Sequence, residues 1–76
     1  MNEKIRQATV LVVRRGVEYL VGSIPYSLEF RWSRSPYDAW STRNRESARK
    51  VARMVGGDIW LFNPVVGQLR EAKITT

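Results

Sequence analysis

Only one stretch of this chain has the period of an α-helix, and that sharply limits the folds open to it. Ala48, Val51, Ala52 and Val55 recur at i, i+3, i+4 and i+7, which lines a narrow apolar stripe along a helix from about Arg45 to Val55. Asn44 is placed to accept a first-turn N–H as its N-cap. Glu46 falls where the helix dipole favours an anion, and Arg53 where it favours a cation. Gly56-Gly57 supplies the left-handed residue on which helices commonly end. The stripe is made of small residues, so this helix suits close packing against a flat partner. The remaining segments carry strand character, and an antiparallel sheet is that partner.

Ala8-Thr9-Val10-Leu11-Val12-Val13 is dense in β-branched residues and too short for a helix, which predicts a strand buried on both faces. Arg14-Arg15-Gly16 interrupts it before a second strand, Val17-Glu18-Tyr19-Leu20-Val21, and Gly16 can take the positive φ of a hairpin turn. Leu28, Phe30 and Trp32 alternate with Ser27, Glu29, Arg31 and Ser33, giving a third strand with one apolar and one polar face. Ser35-Pro36 breaks that pattern, and Tyr37 to Thr42 is expected as a short strand or an ordered loop. Beyond the helix, Asp58-Ile59-Trp60-Leu61-Phe62 reads as a strand stopped by Asn63-Pro64. Gln68 to Ile74 returns as a charged edge strand, with Gly67 in the turn. The expectation is a single α+β domain over residues 1–76, in the order β-β-β-α-β-β: an antiparallel sheet of four to five strands with one helix on a face.

Charge narrows the function. Ten arginines and three lysines stand against seven acidic residues, a formal net charge of +6, with no histidine and no cysteine. A small cationic protein concentrates anionic partners around itself. Without cysteine there is neither a disulfide nor a thiolate metal site, and a domain this short must rely on one efficient core. No apolar run approaches the roughly 20 residues of a membrane span, and Met1 to Gln7 lacks the apolar stretch of a signal peptide, so a cytoplasmic protein is expected.

Catalysis is hard to build from these residues. No histidine or cysteine is present as base, nucleophile or soft ligand, and Glu3, Glu18, Glu29, Asp38, Glu46, Asp58 and Glu71 are scattered without a shared spacing. No glycine-rich phosphate loop occurs either. A non-enzymatic protein with no cofactor and no metal is the expectation.

Binding chemistry is easier to find. Arg45, Arg49 and Arg53 stack at i, i+4 and i+8 beside the apolar stripe, about 6 Å apart along the axis, the reach needed for successive phosphates. Lys50 lies to one side, where it can pair with Glu46, while Arg31 and Arg34 add charge in the third-strand region. Equally, such a row is often just a solvated helix face. Tyr26, Tyr37 and Trp40 sit in irregular segments among these arginines and are candidate aromatic contacts; pinning the loops is their alternative role. Phe30 and Trp32 share a face with Leu28 and are better assigned to the core. Arg15-Gly16-Val17-Glu18-Tyr19-Leu20 has a partial likeness to the strand signature of an RNA-recognition motif. It fails there: Val17 stands where an aromatic should stack, Glu18 repels RNA, and that fold needs two helices.

Trp40-Ser41-Thr42, the alanines and valine at 48, 51 and 52, Gly56-Gly57 and Trp60 to Phe62 together resemble a layout of small phage- and prophage-encoded accessory proteins. That resemblance implies a stand-alone protein of a mobile element, a group that includes anti-CRISPR inhibitors. Its packing pattern transfers no functional residue. The net positive charge also sets this chain apart from acidic DNA mimics. The expectation is a small basic module that engages nucleic acid or a nucleoprotein complex, or an acidic protein surface, without a membrane. The alternative is a protein–protein module or homodimer that uses strand edges with Tyr37 and Trp40.

Overall fold

The computed structural model describes residues 8–23 and 29–72. Its central strand is β1 (Val10–Arg15), which pairs antiparallel along one edge with β5 (Asp58–Asn63). The other edge is shared: β2 (Glu18–Ser23) pairs with the C-terminal end of β1, and the two-residue β4 (Ser41–Thr42) pairs with Leu11 and Val12. Outside these lie β3 (Phe30–Ser33) on β2 and β6 (Gln68–Glu71) on β5, so the sheet runs β3-β2-β1-β5-β6, with β4 as its sixth strand. The helix α1 (Arg45–Val55) packs on β1, β5 and β4. This is the expected α+β architecture, with one more strand than the count of four to five. No helix among the described residues is long and apolar enough to cross a membrane.

The helix boundaries fall where the sequence places them. The Asn44 side chain accepts from the Ser47 N–H at 3.0 Å, and Gly56 closes the helix at φ 70°. Ala48, Ala52 and Val55 are buried and Val51 is half-buried, so the small-residue stripe is the packing face. Gly57 shows how tight the seat is: a Cβ there would stand 2.8 Å from Val13 Cγ1 and 2.9 Å from the Arg14 carbonyl oxygen. Glycine allows the chain to leave the helix directly across β1.

The sheet buries both faces, as the apolar run of β1 requires. On the helix side Leu11, Val13, Leu20 and Ile59 join the helix alanines in one core, with Phe30, Trp32, Trp40, Val51 and Leu61 packed around it. On the opposite side Val12, Tyr19 and Phe62 form a second core with Val10, Ala39, Trp60 and Leu69. A 3-10 turn (Pro36–Asp38), capped by the Ser35 side chain, serves that side: the Tyr37 ring meets Phe62 edge-on at 5.0 Å. The chain then threads through the sheet plane by way of Trp40, whose N–H donates to the Leu20 carbonyl at 2.7 Å, and β4.

Several boundaries differ from expectation. β1 begins at Val10 and continues through Arg14 and Arg15, so the turn is Gly16-Val17, with Gly16 at φ 64°. The arginines stay in the strand because each lies on aromatic rings of its own face. The 37–42 segment is both things foreseen, a 3-10 turn and a minimal strand. β6 ends at Glu71; Lys73 and Ile74, like Leu28 and Ser27, lie outside the described residues.

Candidate polyanion interface

Side-chain alternation and strand pairing assign every charged strand residue to a face. Arg15 is two residues from buried Val13 and opposite Glu18, which puts both on the helix side. Its guanidinium carbon lies 4.1 Å from the centroid of Trp32, and its Nη1 donates to the Val55 carbonyl at 3.1 Å. Arg15 therefore caps the C-terminal, negative end of α1 from a neighbouring strand. Arg70 pairs with Leu61, a helix-side residue, while its neighbour Leu69 packs on the other side. The exposed Arg70 is thus on the helix side of the sheet, at its β6 edge.

Arg14 takes the opposite side. Its guanidinium carbon sits 4.5 Å from the Trp60 centroid and 5.6 Å from that of Tyr19, held between two rings. Asp58 stands across from Arg14 in the ladder and Glu71 across from Trp60, so carboxylates flank this clamp. Arg31 alternates with Trp32 and also faces away from the helix.

Of the candidates named from sequence, the helix row holds together and the rest disperse. Arg45 and Arg53 are exposed, as is Lys50. Arg49 is half-buried, and its Nε is shut off from water with no hydrogen-bond partner. The Lys50–Glu46 ion pair that the i+4 spacing allows does not form; both side chains are exposed, without a partner among the described residues. Arg31 and Arg34 are exposed but belong to β3 and the turn after it, and Arg31 faces away from the helix. They do not extend the helix row. Trp40 is half-buried against the helix-side core, which makes it a loop-pinning residue. Tyr37 is 64% exposed and remains available as an aromatic contact, whereas Tyr26 lies outside the described residues.

Sequence reasoning passed over Arg15 and Arg70 as members of the basic face. For Arg70 a signal existed: its alternation with Leu69 already separated the two by face. Naming that face required the β5–β6 register.

The result is a segregation of charge. The helix side carries Arg15, Arg45, Arg49, Lys50, Arg53 and Arg70 against Glu18 and Glu46. The other side of the sheet sets Arg14 and Arg31 against Asp58 and Glu71. Among the described residues no group of three or more His, Cys, Asp or Glu side chains could hold a metal ion. No protein-family model matches the chain, and neither curated proteins nor solved structures yield a match.

Proposed function

We propose that this protein is a non-enzymatic binding module for a polyanion, nucleic acid or a nucleoprotein complex, engaged through its helix side. The observation that carries the reading is the segregation of charge: among the described strand and helix residues the excess cations gather on one side of the sheet, while the opposite side is close to neutral. Arg45, Arg49 and Arg53 would position phosphates along the helix, with Lys50 beside them. Contacts of this kind give affinity and register without reading sequence. In a phage setting, the same surface would suit an inhibitor that covers guide RNA or DNA in a defence complex.

The test is fluorescence anisotropy with labelled single-stranded DNA, duplex DNA and RNA at about 50 and 200 mM salt. Binding at about 1 to 100 μM near physiological salt, tightening steeply as salt falls, is expected of a non-specific electrostatic site. Arg45→Gln and Arg53→Gln should each weaken binding and lower the salt slope by about one unit. Unchanged affinity in both variants, with the fold intact, refutes the assignment.

A second reading has its own observation. Tyr37, Val65 and Val66 are 64%, 64% and 52% exposed, and the Tyr37 hydroxyl rests 3.1 Å from where a Gly67 Cβ would stand. These residues form one fixed apolar corner away from the helix, suited to a protein partner or a second copy of the chain. Concentration-dependent light scattering of the parent and of Tyr37→Ala tests the second-copy case; a monomer at all concentrations excludes it.

A further inference from the structure

We infer that the ligand of the basic side is a phosphodiester backbone seated in the step between α1 and the edge strand β6, with Arg70 as the floor and Arg45, Arg49 and Arg53 as the wall. This inference rests on the polyanion reading and names its ligand and geometry.

The step follows from topology. β4 and β5 both run antiparallel to β1, so they are parallel to each other, and α1 connects them across the strand between. Such crossovers are right-handed. In that sense, with Ala48, Ala52 and Val55 facing the sheet, the helix flank carrying Arg45, Arg49 and Arg53 turns toward β5 and β6. The flank carrying Val51 turns toward β2. Because α1 packs on β1, β5 and β4, β6 projects beyond it as a ledge. On that ledge Arg70 is on the helix side.

A chain running along the step meets guanidinium groups from two directions. The wall offers one about every 6 Å, near the spacing of successive phosphates. Planar guanidinium forks match the paired oxygens of a phosphate better than an ammonium does, and this row is arginine throughout. Arg49 strengthens the case. Its Nε is out of water with nothing to donate to, so its charge is partly desolvated in the free protein. An anion at its outer nitrogens gains more there than at a fully hydrated arginine.

The experiment uses the full chain and a ten-nucleotide single-stranded DNA, with the same sequence as RNA, as duplex and as uncharged peptide nucleic acid, and with heparin as a non-phosphate polyanion. Parent, Arg70→Gln, Arg70→Lys, Arg49→Gln and the opposite-side control Arg31→Gln are compared after thermal melts confirm folding. Arg70→Gln should weaken DNA binding about tenfold and lower the salt slope by about 0.7 to 1. Arg70→Lys should recover part of the affinity, Arg31→Gln should match the parent, and peptide nucleic acid should not bind. The DNA, RNA and duplex arms identify which nucleic acid supplies the backbone. If Arg70→Gln binds like the parent while Arg49→Gln is weakened, the step is wrong and the polyanion reading stands. Equal binding of heparin and DNA, or binding of the uncharged analogue, overturns the phosphodiester assignment. If no polyanion binds at any salt, the underlying reading falls as well.

Discussion

Gly57→Ala should be among the most damaging single-methyl changes in the molecule. Gly57 has no positive φ to protect, so the effect is purely one of space. The new methyl would meet Val13 Cγ1 at 2.8 Å and the Arg14 carbonyl oxygen at 2.9 Å. Neither neighbour can yield cheaply: Val13 is 0% exposed, and the carbonyl belongs to a strand paired on both edges. Overpacking of this kind costs about 1 to 3 kcal/mol. For a domain of this size each kcal/mol moves the melting temperature by about 4 to 8 °C, so a cost near 2 kcal/mol predicts a fall of about 8 to 16 °C. Two glycines calibrate the result in the same circular-dichroism melts. Gly56→Ala meets no atom within 4 Å but must adopt φ 70°, a cost of about 1 to 2 kcal/mol. Gly22→Ala has open space and no positive φ, and should stay within about 1 kcal/mol of the parent. A Gly57→Ala melt within about 3 °C of the parent would show that the helix does not sit on β1 as closely as described.

Other perturbations test separate joints. Ala48→Leu places a large side chain at a position 0% exposed beneath the helix, and a loss of about 1 to 3 kcal/mol in chemical denaturation is expected; an unchanged midpoint contradicts the packing face. Asn44→Ala removes the acceptor for the Ser47 N–H and should cost about 1 kcal/mol, visible as lower helical signal and an earlier melt. Arg15→Gln loses both the Trp32 stack and the bond to the Val55 carbonyl; a loss of about 1 kcal/mol with altered tryptophan emission is expected, and parental behaviour in both refutes the cross-strand cap. Asn63→Leu leaves the Val65 N–H and Thr9 hydroxyl without their 3.0 and 3.2 Å partner, which should cost about 1 to 3 kcal/mol and loosen the β5–β6 turn in amide exchange.

What could be read from sequence was what is decided locally. The helix is capped by Asn44 and closed by Gly56, both within a few residues of the atoms they satisfy, so its limits were visible in advance. The glycine turns at Gly16 and Gly67 are local for the same reason. Arg14 and Arg15 were misread as turn residues because their rings come from elsewhere: Trp60 through β5, and Trp32 from two strands away. Charge predicts solvent only when no aromatic surface is at hand. The basic row on α1 was legible from its i+4 spacing, but its separation from Arg31 and the addition of Arg70 were not. Those depend on which strand lies beside which, and alternation along a single strand cannot supply that.

The placement of β1 also has a cost during synthesis. It is the first described strand to be made, yet Val10 finds its partner only when Phe62 arrives. At ribosomal rates of about 5 to 20 residues per second that interval lasts several seconds. Throughout it, the β5 edge of Leu11-Val12-Val13 is an open, uncharged, β-prone ladder that a neighbouring nascent chain could pair with. Arg14 and Arg15 follow it directly, and their paired charges discourage such encounters until the sheet closes. The same two side chains then clasp Trp60 and Trp32, so the guards of the unfinished strand become part of the finished one.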